Sequence, residues 1–495
     1  MTQEPGRASQ QQDIEALAKG GRTNFFGFLL RLVARIPFLF IASRLYGASA
    51  MGRFASALVM VEFAGMLATL GQKRGLAQRL SEDREHPANT VADALVVATL
   101  IAGVASALIY AFPASMYPKG NFTAADRLLV FAVWLLAMGD LALAALAYRF
   151  DVATTVRARA VVEPWALSIS AGALYFIYPS AGLSLAYLIS VGAATAVALF
   201  SLVRNYGLPH QWLPHPGRLL RLTARNLPLA GADAVEWGTR KLDVFILRFF
   251  VSEAALGIYY FAQQFASLPQ KLKTSFEPVL GPVITRNVLD RNYAAIARQV
   301  CQVGFWITAA QAGIALALAI PGVGLMGLGG PDFVQGTGAL IFLLTAEVVA
   351  ATAVVSEAAL VYLARYQNFV VSLFTIIVQA VLTVGGVELV DRWAGDDAAQ
   401  ITIAAAALMI SLAMASLIKS RLLARILRER INNWRWPLVW ASIPAFAVGL
   451  AATHLLPEWA GMVLGIPAIL GIYVWIIWHK GFGPEDRVLF RKNVG

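Results

Sequence analysis

The run FFGFLLRLVARIPFLFIASRLY, residues 25–46, is long and apolar enough to cross a bilayer as one helix, yet it carries Arg31 and Arg35 within it. An arginine at the centre of such a span costs about 2.5–3.5 kcal/mol on insertion scales. If the helix starts near Asn24, a rise of about 1.5 Å per residue puts Arg31 about 10 Å deep and Arg35 about 16 Å deep, near the midplane. Arg31 is within snorkelling reach of the interface and Arg35 is not. The two stand at i and i+4, so one helix face presents both guanidiniums, and something anionic is expected to meet that face.

The stretch recurs. A shift of 205 residues, without a gap, lays Arg31–Phe63 over Glu236–Leu268. Arg35 then falls on Arg240, Phe40 on Phe245, Ile41 on Ile246, Ala50 on Ala255, Gly52 on Gly257 and Ala57 on Ala262. Matches among apolar residues arise by chance; an aligned intramembrane arginine and an aligned loop glycine carry more weight. The chain reads as two homologous halves, each opening with a helix that holds a midplane arginine.

Composition sets the class. At 58% hydrophobic and 14% charged over 495 residues, the chain lies outside the soluble globular range and reads as a polytopic membrane protein. The net charge of +11 then speaks to topology and anionic lipid, not to nucleic acid. With Cys301 as the only cysteine, an internal disulfide and a cysteine metal cluster are both excluded. Residues 1–24 read as an uncleaved cytoplasmic tail.

Apolar runs place spans at 25–45, 53–72, 90–112, 127–148, 161–178 and 183–203, then 226–250, 257–283, 300–320, 335–361, 369–389 and 399–418, with two more at 438–454 and 461–478. The expected fold is all-α, with about 14 transmembrane helices. It divides into an N-terminal lobe (25–210), a C-terminal lobe (211–418), and a basic loop with two further helices (419–495). Six spans per half give the repeats one orientation, related by an axis along the membrane normal. With the N-terminus inside, the inner loops and tails hold 28 of the 40 Lys and Arg, whereas the outer loops hold only Lys119 and Arg392. This predicts both termini in the cytoplasm. The loop from Lys419 to Trp436 reads as an amphipathic surface helix anchored by Trp434 and Trp436.

In the seventh span Asp233, Glu236, Arg240 and Asp243 stand at i, i+3, i+7 and i+10, within an arc of roughly 80 degrees. They are either internal ion pairs that tie helices together or the lining of a pathway. Arg248 lies outside that arc and reads as an anchor near the outer end. Lys271 in the eighth span is a candidate cavity residue, and Lys273 and Glu277 are spaced as a pair. Glu62, Asp140, Glu163, Glu347 and Glu357 are single acids, each a proton carrier or an arginine partner. The five histidines lie in loops or at span ends, so no metal site is expected, and no loop is large enough to build an enzyme site. No cofactor is implied.

The segment Leu45–Phe54 (LYGASAMGRF), followed by Leu70-Gly71 and a basic stretch, resembles the opening of bacterial polysaccharide exporters of the Wzx type. These are lipid-linked oligosaccharide flippases of the multidrug/oligosaccharidyl-lipid/polysaccharide exporter superfamily. The echo Ala255–Tyr260 resembles the same element. The resemblance implies a V-shaped pair of six-helix lobes around a cationic cavity that alternates between the two faces of the bacterial inner membrane. The positions of this sequence that match such a cavity are Arg31, Arg35 and Arg240, and Glu236, opposite Arg31 in the alignment, departs from an all-basic pattern. With Lys271 these arginines are the candidate ligands of the diphosphate of an undecaprenyl-linked oligosaccharide, and Asp233, Glu236, Asp243 and Glu357 are candidates for ion pairing or coupling. Membrane lipids, a polysaccharide polymerase and export machinery follow as partners. A lipid II flippase is the near variant. A cation-coupled multidrug extruder of the same superfamily would want an acid in the first span, and residues 25–46 contain none.

Overall fold

The computed structural model of the protein describes residues 34–83, 85–393, 395–483, 486 and 487, with backbone alone over residues 271–283. Every regular element among the described residues is helical. Eleven described segments are long and apolar enough to cross a bilayer. The first, Ala34–Glu82, changes direction at Gly47 (φ +82°) and holds two of the expected spans. Two more, Pro216–Phe250 and Glu253–Leu289, are 35 and 37 residues long but too rich in ionisable side chains to be apolar throughout. The chain is an all-α polytopic membrane protein of about fourteen spans.

It divides into two compact units, Leu30–Tyr260 and Phe261–Gly495. The first contains α1 (34–46, closing in a π-helical turn Ala42–Tyr46), α2 (Gly47–Ala68), α3 (Gln72–Glu82), α4 (Pro87–Ala111) and α5 (Ala132–Tyr148). It continues with α6 (Val152–Val156), which passes through a π-helical turn, Arg157–Val162, into α7 (Glu163–Ile177). Then come α8 (Gly182–Tyr206), α9 (Pro216–Phe250) and the first turns of α10 (Glu253–Leu289). Lipid tails are as apolar as a protein core, so close packing through small residues has to hold such helices together. Accordingly Ala142 and Ala145 of α5 are buried with Ala194 and Ala198 of α8.

The second unit holds α11 (Tyr293–Ala319), α12 (Gly322–Gly327), α13 (Thr337–Leu363), α14 (Arg365–Trp393), α15 (Asp397–Leu427), α16 (Pro437–Leu455) and α17 (Glu458–Ile476). Its core joins Phe305, Trp306, Val355, Leu360 and Tyr473. The buried run Ala404–Ala407 lets α15 lie close along α13. Asp486 is buried and accepts hydrogen bonds from Trp306 Nε1 (2.9 Å), Gln302 Nε2 (3.2 Å) and Arg435 Nη1 (2.6 Å), which ties the segment after α17 to this core.

One expectation changes here. The amphipathic surface helix after Lys419 is instead the continuation of α15. Its apolar side, with Leu423 and Leu427, is packed into the second unit's core, and the helix ends where Arg428 takes φ +56°. On the first turns of α9, Arg218 pairs with Asp93 (2.7 Å) and Arg225 with Glu82 (2.8 Å).

Candidate functional site

The first unit contains a chain of alternating charges. Arg35 of α1 stands 3.6 Å from Glu163, the first residue of α7. Arg159 donates to the same carboxylate (2.7 Å) and, through its other nitrogen, to Asp140 of α5. Lys73 of α3 completes this arm against Asp140 (2.5 Å). Its neighbour Arg74 opens a second arm, bonding Asp233 (2.8 Å) and Glu236 (2.5 Å) of α9. Glu236 also pairs with Arg240 one turn on (2.9 Å). Arg35 and Arg240, which the 205-residue shift aligns, are thus the two ends of one chain of charges whose two ion-paired arms are joined by the dipeptide Lys73-Arg74.

Local structure explains how these groups meet. Leu70 and Gly71 both take positive φ, +49° and +68°, and break the helix between α2 and α3. Glycine is required at the second of these by proximity as well as torsion, since a Cβ there would stand 2.5 Å from Leu229 Cβ and 2.6 Å from Ala230 N of α9. A Cβ at Gly75 would likewise meet Asn226 at 2.7 Å. The turn thereby lays Lys73-Arg74 beside the acidic side of α9. On the other arm, the π-helical turn Arg157–Val162 shifts the register so that Arg159 reaches α5 while keeping its i,i+4 partner Glu163. The short helix before that turn is capped by Asp151, which accepts from Thr154 N (3.0 Å) and Thr154 Oγ1 (2.7 Å). These two bonds hold the Asp151 carboxyl below the usual carboxylate value.

Exposure separates two classes within the chain. The side chains of Arg159 and Glu163 are 20% and 10% exposed, so they are structural ties in a low-dielectric setting. Those of Arg35 (48%), Arg74 (49%) and Arg240 (36%) reach open space with part of each guanidinium unspent. Each of these three guanidiniums leans on an acid and is still partly exposed, so each can take a further oxyanion beside its carboxylate partner.

Of the residues expected from sequence, Arg35, Asp233, Glu236 and Arg240 join this chain. Asp243, on the same side of α9, is fully buried and accepts from Tyr259 Oη (2.6 Å). Glu357 lies in the second unit, where it pairs with Lys419 (2.9 Å), which also donates to Ser372 (2.9 Å). Arg31 and the side chains of Lys271, Lys273 and Glu277 lie outside the described residues. Arg248, expected as an interfacial anchor, is buried at 3% exposure. Sequence reasoning missed Lys73, Arg74 and Arg159, which pass as ordinary inner-loop arginines and lysines. The i,i+4 spacing of Arg159 and Glu163 was the one visible signal.

The profile of the family described as polysaccharide biosynthesis protein matches residues 41–319. No curated protein sequence matches the chain significantly. Among solved structures, the chain is similar to the lipid II flippase MurJ in an inward closed conformation. The identity is 12%, the match covers 92% of this chain and 98% of that one, and the TM-score is 0.70. It is also similar to a MATE protein in complex with MaL6 (15% identity, 85% and 97% coverage, TM-score 0.58). A Pyrococcus furiosus transporter described as having a binding pocket of reverse polarity gives 12% identity, 85% and 96% coverage and a TM-score of 0.58. The chain belongs to the polysaccharide biosynthesis protein family and has the fold of the multidrug/oligosaccharidyl-lipid/polysaccharide exporter superfamily.

Proposed function

We propose that the protein flips an undecaprenyl-diphosphate-linked oligosaccharide from the cytoplasmic to the periplasmic leaflet of the bacterial inner membrane, with both termini cytoplasmic. The observation that carries this reading is the ionic chain between Arg35 and Arg240. Its half-exposed guanidiniums, each balanced by an acid, suit a ligand of compact double negative charge that must cross the bilayer interior. Bidentate arginine donors replace the water a diphosphate loses there, which a lysine's point charge does less well. Arg31 and Lys271 belong to the same proposed site.

On this reading the lobes 25–210 and 211–418 alternate access around the site. The glycan rides in an aqueous cavity and the polyprenyl tail stays in lipid. Membrane lipids are the immediate surroundings, and a polysaccharide polymerase with its export machinery takes the product. The acids Asp233, Glu236, Asp243 and Glu357 hold or reset the empty state. A lipid II flippase of the same superfamily is the near alternative.

The test is flipping in proteoliposomes that contain the full chain and a fluorescent polyprenyl-diphosphate oligosaccharide, with leaflet position read by a membrane-impermeant quencher. Transport that requires the diphosphate and tolerates changes of glycan supports the reading. Equal transport of a polyprenyl alcohol carrying the same glycan without phosphate overturns it.

A further inference from the structure

A second cationic feature lies farther along α9. A small open cavity is lined by Arg53 and Ser56 of α2, Tyr117 and Lys119 of the α4–α5 connection, Arg248 of α9, and Glu253 at the start of α10. Arg248 stands eight residues beyond Arg240, where the ionic chain ends, or about 12 Å along the helix, so this cavity is separate from the ionic chain.

Arg248 is the unusual member. Its residue is 3% exposed, and among the described residues its guanidinium meets no carboxylate. One nitrogen donates to the carbonyl oxygens of Ser115 (2.7 Å) and Ser56 (3.3 Å), the group lies over the rings of Phe245 and Phe249, and Nε has no partner. A buried guanidinium without a counter-ion is costly, and every buried arginine of the ionic chain has one. The other two cations are lightly held: among the described residues Arg53 donates to the Ser180 carbonyl at 3.4 Å and Lys119 to the Phe249 carbonyl at 3.3 Å, and both lie within electrostatic reach of Glu253. Glu253 is the one acid in the lining, so three cations face one carboxylate.

We propose that this cavity is an anion site that takes one phosphate ester group, with the buried Arg248 as its floor and Arg53 and Lys119 as its rim. Two sources share that chemistry: the headgroup of an anionic phospholipid, and the diphosphate of a polyprenyl carrier arriving at this end of α9. The binding claim stands apart from the proposed flipping; a role in receiving the carrier rests on that reading.

Native mass spectrometry of the full chain released from detergent tests it. Phosphatidylglycerol, geranylgeranyl diphosphate and, as zwitterionic control, phosphatidylcholine are added in turn. The wild type is expected to retain a phosphatidylglycerol or a geranylgeranyl diphosphate adduct in preference to phosphatidylcholine. The double variant Arg53→Ala/Lys119→Ala, which removes exposed cations and leaves the buried floor in place, is expected to weaken that adduct at least tenfold. Loss confined to phosphatidylglycerol assigns the site to lipid headgroups, and loss confined to the diphosphate assigns it to the carrier. Equal adducts in the double variant and the wild type overturn the proposal and leave Arg248 a structural tie. Arg35→Ala should retain the adduct while losing transport, so failure of one claim is distinguishable from failure of the other.

Discussion

Gly52 and Gly257, which the 205-residue shift places in register, lie against each other where α2 crosses the first turns of α10. A Cβ on Gly52 would stand 2.9 Å from Gly257 N and overlap the Glu253 carbonyl; one on Gly257 would stand 2.8 Å from Gly52 N and overlap the Ala48 carbonyl. Ala48 and Glu253 are themselves one repeat apart. The contact is therefore reciprocal, as an axis relating the two segments requires, and it is made backbone to backbone because neither residue has a side chain. Gly52→Ala and Gly257→Ala should each destabilise the protein by about 1–3 kcal/mol, the usual cost of overpacking. Gly103→Ala, where a Cβ meets nothing within 4 Å, is the control that should leave stability unchanged or raise it. Thermal unfolding of the purified variants in detergent measures the difference, and equal midpoints for all three would remove the crossing from the argument.

The exposed end of the ionic chain gives a functional prediction. Arg35→Ala should abolish export while expression and membrane insertion persist, since its side chain is half-exposed and its one ion pair is long at 3.6 Å. Arg35→Lys should recover only part of the activity, because lysine keeps the charge and loses the planar fork. Complementation of a strain lacking the protein, with immunoblotting of membranes, reads both. Full export by the alanine variant would sink the assignment.

A third prediction concerns the support beneath Arg159. The Thr154 bonds that depress the Asp151 carboxyl mean that the folded state holds the charged form more tightly than the unfolded chain does. That stability is present above the ordinary value of 3.8 and is lost as pH falls through the lower folded value. Asp151→Ala should therefore lower stability by about 1 kcal/mol at neutral pH, as for other lost helix N-caps. The gap from wild type should close on acidification below the ordinary carboxylate range. A gap that persists at low pH would assign the effect to packing and not to the cap.

Much of this was legible in the chain itself, for definite reasons. The span pattern and the repeat follow from apolar run lengths and one period. Arg35 and Arg240 stand out because an arginine in lipid demands a partner. The partners are harder to read, because Lys73 reaches Asp140 just past a break at Leu70-Gly71 whose geometry no helical period encodes. Asp243 shares the side of α9 that carries Glu236, yet it is buried against Tyr259. Angular position on a helix says which way a group points, not which neighbour has already claimed it. Arg248 misled for the converse reason: a cation at a span end usually snorkels, and here two phenylalanine rings and two carbonyls enclose it.

The driving force gives the last prediction. Moving a diphosphate from an inside-negative cytoplasm to the outer leaflet is downhill by about 2.3 kcal/mol per charge per 100 mV, or roughly twice that for two charges. The gain survives only if the arginines stay behind, as in a rocking motion around a fixed site. Once the substrate leaves, those arginines need counter-ions for the empty site to return. Glu236 is placed for that task, because it bridges Arg74 (2.5 Å) and Arg240 (2.9 Å) and its own side chain is 49% exposed. Glu236→Gln should therefore slow turnover more than it weakens substrate binding. Flipping in proteoliposomes with an imposed potential and an imposed pH gradient, varied separately, tests this against binding measured on the same preparations. If transport ignores both gradients and the glutamine variant turns over as fast as the wild type, Glu236 is a structural partner of the two arginines and the resetting step lies elsewhere.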